Sequence, residues 1–293
     1  MLKKIAVQTQ RTGTFPTEAE RRALTQLNTT GWLVAASPSM EITSSDLREK
    51  GYRTFTIGFP NENPYVNYYA LQHEALDGRK SILLFDSGPY LNAAEMHRDF
   101  TSLGLDYKDV RAIFLTHGDL DHVAGAELPE FQTIPQFIST NEQHLVHGGR
   151  RSCLSVGPVL PDRDTRLFIE DTYRYRSDDF PHLEICVLPT AGHTEGSLTY
   201  RIAIGSENEK KDVIYATGDA VRLQRDWLIG AITDINSRTN AAAIDTHVKP
   251  DVTQTLHNGD RPSLWTGHTS HTSDPAQIRS TLSISPAQTE TQP

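Results

Sequence analysis

From Tyr52 onward the chain is dominated by short alternating or wholly apolar runs, separated by glycine- and asparagine-rich turns. Tyr52–Ile57 alternates, and Val66–Leu71 and Ser81–Phe85 are further strands flanking an Asp77-Gly78 turn. Val110–Leu115 is a β-branched and aromatic run that reads as a buried strand. Between them, Ala93 to Leu103 has helical spacing, with Met96, Phe100 and Leu103 on one side. Further strands are predicted at Pro135–Ser139, Leu183–Leu188, Leu198–Ile204, Asp212–Ala216 and Ser263–Trp265. Helices are predicted from Val123 to Leu128, around Glu142 to Val146 and over Ala241–Val248. Two successive blocks of strands, helix and strands suit two sheets packed face to face with helices outside.

The flanks read differently. Residues 1–50 are expected to form an N-terminal arm with a covering helix over Thr17–Leu27, and residues 51–270 the main domain. Residues 271–293, rich in Ser, Thr, Gln and Pro, are expected to be a disordered tail apart from a short helix near Gln277–Leu282. The segment 148–181 has little periodicity and is expected to be an insertion lining or covering a site.

Chemistry is concentrated where strands end. Thr116-His117-Gly118-Asp119-Leu120-Asp121-His122 places two imidazoles and two carboxylates in one loop, donors that zinc, iron and manganese accept. The bland alternative is a polar turn with Asp119 or Asp121 capping the next helix. The same pattern recurs: His193 lies in Gly192-His193-Thr194-Glu195-Gly196-Ser197, Asp219 in Thr217-Gly218-Asp219-Ala220, and His268 in Thr266-Gly267-His268. Each follows a short strand, and loops at one edge of a sandwich converge, so the ordered set predicts a metal centre. His144, His147 and His271 are expected to be bystanders.

The formal charge of −9 over 293 residues argues against a nucleic-acid surface, which needs a basic stripe. No apolar run is long enough to span a bilayer, and no h-region follows the basic N-terminus, so a cytoplasmic location is expected. Cys153 and Cys186 are expected to be free thiols. The partner expected is a small-molecule substrate, with neither nucleic acid nor membrane; no feature of the sequence sets an oligomeric state.

With these residues in hand, the chain resembles the metallo-β-lactamase superfamily, in its lactonase and glyoxalase II-like branch, over about residues 50 to 270. Asn67-Tyr68, Asp86-Ser87-Gly88 and the Gly192–Ser197 turn add to the likeness. The resemblance implies an α/β fold of αββα type, two mixed β-sheets with helices on the outer faces. Position by position, it implies two divalent metal ions: His117 and His193 on the first, Asp121, His122 and His268 on the second, and Asp219 bridging. Paired cations of this kind make water a nucleophile at neutral pH and polarise a carbonyl. Asp121 is then the candidate to orient that water and pass its proton on, and Asp86 is expected to hold a ligand histidine from behind.

The family signature is His-x-His-x-Asp-His, and Asp119 stands where its second His belongs. A carboxylate there is a harder donor, so zinc is expected with iron or manganese tolerated, unless Asp119 fails to reach the metal. Lactonases of the superfamily carry Tyr three residues after the bridging Asp; here that position is Arg222, which could bind a substrate carboxylate or an oxyanion. Trp227 and Tyr65 or Tyr68 are candidate apolar walls. The activity implied is attack of metal-activated water on an ester, thioester or lactone carbonyl. The alternatives are an iron-dependent oxidoreductase on the same scaffold, a phosphodiester hydrolase, and a binding protein that has lost catalysis.

Overall fold

The computed structural model describes residues 39–59, 66–90, 92–147, 163–221, 236–268 and 271–285. Two mixed sheets are present. The first has seven strands in sequence order: β1 (Met40–Glu41), β2 (Tyr52–Phe59), β3 (Val66–Glu74), β4 (Lys80–Phe85), β5 (Val110–Phe114), β6 (Gln136–Ser139) and β7 (Arg166–Ile169). β1 to β4 pair antiparallel, and β4 to β7 pair parallel. The second sheet follows the order β12 (Arg261–Thr266), β11 (Asp212–Gly218), β10 (Leu198–Ile204), β9 (Leu183–Pro189) and β8 (Arg174–Tyr175), with only β11 and β12 parallel.

Strand periodicity sorts the core into three layers. Leu83, Phe85 and Phe114 from the first sheet meet Tyr200, Ile202, Ile214 and Trp265 from the second, filling the space between the sheets. Their immediate neighbours Ile82, Leu84 and Ile113 point the other way and pack with Met96 and Phe100 of the helix Ala93–Ser102. On the opposite outer face, Val213, Tyr215 and Leu264 pack with Val248, Val252 and Ile278. Each such side chain, taken wholly out of water, contributes about 1.5–3 kcal/mol. The arrangement is the αββα sandwich the pattern predicts.

Several elements differ from the sequence reading. The sheet starts before residue 51, because Met40–Glu41 pairs with Phe55–Thr56 as an edge strand. The helix expected at Thr17–Leu27 lies outside the described residues. Residues 163–181 are part of the sandwich rather than an insertion: β7 and β8 are edge strands, and Phe180 is buried between the sheets. Both strands are too short for period-2 alternation to register in the sequence. The stretch after His271 is not a tail as far as residue 285. Thr272 bridges to Leu264, Asp274 caps the helix Pro275–Thr281, and Ile278, Leu282 and Ile284 enter the core. Its polar residues outnumber its apolar ones, yet Ile278 and Leu282 fall at helical spacing and Ile284 follows just beyond the helix. Among the described residues no helix is long and apolar enough to cross a membrane.

Candidate metal centre

Parallel pairing brings strand ends to one edge of the sandwich. β4 ends at Asp86 and its parallel neighbour β5 at the His117 loop. In the second sheet β9, β11 and β12 run the same way and end at the His193, Asp219 and His268 loops. Hydrogen bonds across the sandwich fix the two halves together: Leu198 N–H donates to Thr116 O (2.8 Å), Tyr200 OH to Leu115 O (2.9 Å), and Asn67 N–H to Gly267 O (2.6 Å). Tyr69 stacks on Trp265 and donates its hydroxyl to Thr266 O at 2.9 Å.

All seven strand-end residues named from the sequence converge. Asp119 occupies the N-cap position of the short helix Leu120–Val123, yet its side chain makes no capping hydrogen bond. It turns inward instead, with Oδ2 3.2 Å from His193 Nε2 and 3.7 Å from His117 Nε2. The capping alternative is therefore set aside for Asp119. Asp121 Oδ2 lies 3.8 Å from His122 Nε2 and 3.5 Å from His268 Nε2. Asp219 stands between the two sets: Oδ1 is 3.2 Å from His122 Nε2, while Oδ2 is 2.8 Å from His268 Nε2 and 3.3 Å from His193 Nε2.

Among the described residues three groups could hold a metal, each with ligand atoms within 4.8 Å of one another: His117, Asp119 and His193; Asp121, His122 and His268; and His117, His122 and Asp219. The donors suit divalent cations. His117 Nε2 is buried and makes no hydrogen bond, and the equally buried His122 Nε2 and Asp219 Oδ1 face each other at 3.2 Å, an arrangement of donors that a cation would satisfy. Burial and the neighbouring His122 and His193 push the His117 imidazole well below its ordinary value, which keeps it neutral. Burial alone would raise Asp219, but His268, His122 and His193 overcome it and hold the carboxylate ionised. Burial likewise opposes the charged forms of His122 and His268, and Asp219 with the other nearby carboxylates outweighs it, so both are raised. Asp121 is the most open of the site carboxylates, its side chain 32% exposed against 7% for Asp119 and 3% for Asp219.

Behind these groups lies a second layer of bonds. Asp86 Oδ2 is 2.8 Å from His122 Nδ1, as expected for the residue behind a ligand. Asp86 has φ +62°, a left-handed conformation that Asp tolerates better than most side chains, and its N–H donates to Phe114 O. One residue of this layer escaped the sequence reading. Glu142 is fully buried, its carboxyl pushed up by that burial, and it accepts bonds from Thr194 Oγ1 and from Gly196 N–H at 2.9 Å. In the sequence it was one polar residue of an expected helix; the segment Thr140–His147 is instead a 3-10 helix, and nothing local marks Glu142 as inward-facing.

The other candidates sort clearly. Arg222, Trp227, Tyr65 and Cys153 lie outside the described residues. Tyr68 packs in the outer core beside Tyr90 rather than walling the centre. His144 bonds Asn141 O of its own turn, and neither it nor His271 belongs to any of the three groups. Cys186 is a free thiol beside Arg174.

The sequence profile of the metallo-beta-lactamase superfamily matches residues 64–282. The chain belongs to that superfamily. It is a metal-dependent hydrolase in kind, and the superfamily's profile runs through the helix Pro275–Thr281, in keeping with the packed segment found there. No curated protein matches the chain. Among solved structures, a B3 metallo-beta-lactamase described as having an active-site glutamic acid is similar, at 16% identity and a TM-score of 0.53, covering 92% of each chain. A mutant of the HARLDQ-motif metallo-beta-lactamase from Cronobacter sakazakii (Enterobacter sakazakii) is similar at 16% identity and a TM-score of 0.50, covering 79% of this chain and 81% of that one. At these identities the likeness is one of fold.

Proposed function

We propose that the protein is a binuclear hydrolase of a small, uncharged ester, thioester or lactone. His117, Asp119 and His193 would hold one metal, Asp121, His122 and His268 the other, and Asp219 would join them. The observation that carries this reading is the position of Asp219, whose one carboxylate lies within 3.3 Å of His193 in the first group and of His122 and His268 in the second. Bound there, two divalent cations would lower the pKa of water and polarise the scissile carbonyl.

The chain's own groups do the rest. Asp121, whose side chain is the most open of the three carboxylates, would take a proton at Oδ2 and release it to a departing alkoxide or thiolate. Three carboxylates neutralise most of the charge of two divalent cations, more than a centre with His at position 119 would. That favours a neutral carbonyl substrate over an anionic one. Arg222, three residues beyond Asp219 in the sequence, is the candidate to bind a developing oxyanion. Zinc is the expected metal, and the oxygen donor of Asp119 extends the range toward manganese and iron.

The test is metal content of gently purified protein by elemental mass spectrometry, paired with a screen of neutral esters, thioesters and lactones. About two zinc or manganese ions per chain with turnover supports the proposal. Iron at the same stoichiometry without hydrolysis replaces it with the oxidoreductase reading that Asp119 favours. Fewer than two metals, with no turnover after reconstitution, overturns it.

A further inference from the structure

His193 sits in a turn that closes on itself. Thr190 N–H donates to Ser197 O, Gly192 N–H to Thr194 O, and Thr194 N–H to Ser197 Oγ. None of these bonds reaches the first sheet, which carries Asp119 and the rest of the motif loop. Just beyond the turn Leu198 N–H reaches Thr116 O of the motif loop, and within the turn it is Glu142 that makes the connection. It follows β6, two strands along from β4 and next to β5, and its Oε1 takes both the Thr194 hydroxyl and the Gly196 N–H. The approach is close enough that a Cβ on Gly196 would stand 2.5 Å from Glu142 Cγ. Its other oxygen, Oε2, is buried and makes no hydrogen bond. An ionisable side chain kept wholly out of water with one oxygen unpartnered is a costly way to fill space, and an apolar residue would pack there better.

We infer that Glu142 is a positioning residue: it pins the Thr194–Gly196 arm of the turn to the first sheet and so sets where His193 Nε2 stands relative to Asp119 and Asp219. This rests on the metal assignment above. It predicts an effect on the metal held by His193 that the metal held by Asp121, His122 and His268 does not share.

The experiment is a stepwise zinc titration of the metal-free full chain by calorimetry, with His193→Ala identifying which step belongs to the His193 site. Glu142→Leu removes the acceptor and is expected to weaken that step by about tenfold or more, leaving the other within about threefold. Glu142→Gln keeps an acceptor oxygen for both donors and is expected to recover most of the loss. Equal weakening of both steps, no weakening of either, or a Gln variant as weak as the Leu variant overturns the inference. If Glu142→Leu does not fold, Thr194→Val removes one donor alone and is read by the same criterion. A wild-type chain that shows fewer than two steps defeats the metal assignment itself, whereas two wild-type steps with an unaffected Glu142→Leu defeat only the role of Glu142.

Discussion

Asp86 and His117 never touch, yet one hydroxyl connects them. Thr116 Oγ1 lies within 3.0 Å of both Asp86 oxygens and 2.9 Å from His117 Nδ1, while Asp86 Oδ2 meets His122 Nδ1 directly at 2.8 Å. A single buried carboxylate thus orients two of the histidines and leaves both Nε2 atoms facing the centre. Asp86→Ala is expected to lower metal affinity about 10- to 100-fold. Asp86→Asn should fall between it and the wild type, since the amide keeps an acceptor but loses the charge that favours a well-aimed, basic His122. Chelator competition on the folded variants measures both.

His122→Ala and His193→Ala are each expected to abolish turnover, because each removes a donor from a different metal-holding group. Far-ultraviolet circular dichroism should show the fold retained. Full activity in either purified variant would remove it from the centre.

Asp119→His restores a second imidazole to the motif and removes one negative charge. Activity should persist, with metal preference shifted toward zinc and away from manganese and iron. Growth in mixed-metal medium followed by elemental analysis reads the shift; an unchanged metal ratio and rate would mean that Asp119 is not a ligand.

Gly267 leaves room that no other residue could. A Cβ there would lie 2.3 Å from Asp219 Oδ1 and 2.7 Å from His122 Cε1. Gly267→Ala is expected to cost at least about tenfold in metal affinity by displacing those donors, without exposing any core side chain. Melting of the metal-free variant, compared with metal-free wild type, separates the two effects.

Acid should strip the centre. In the metal-free protein His122 and His268 have values raised above the ordinary 6.5, chiefly because Asp219 and other carboxylates outweigh the effect of burial. Their protonated pairs therefore stabilise the metal-free fold fully below that ordinary value, and the contribution fades as pH climbs through the raised ones. Metal has to displace those protons, so affinity falls as pH drops, by about tenfold per unit for each proton released. Calorimetry in buffers of different ionisation enthalpy counts the protons.

The sandwich and the seven clustered residues were legible because both depend on short-range signals: strand runs such as Val110–Leu115, each followed within a few residues by a glycine beside a His or Asp. The sequence alone could not decide whether Asp119 capped a helix or faced the histidines, since both uses put the residue at the same N-cap position. Glu142 was illegible for a different reason. Its partners are 52 and 54 residues away, so no local pattern can separate it from a solvent-facing helix residue. The edge strands β7 and β8 are too brief to alternate, and Ile278, Leu282 and Ile284 are diluted by polar neighbours.

The two sheets contribute unequal but complementary shares of the centre. His117, Asp119, Asp121 and His122 follow the first sheet; His193, Asp219 and His268 follow the second, with 74 residues separating the pair Asp119 and His193. Metal bound there would therefore act as a clasp between the two halves of the chain, adding its binding free energy to the apolar contact between the sheets. Loss of metal would loosen the interface as well as silence the site, so the thermal midpoint of the whole sandwich should rise and fall with free metal concentration.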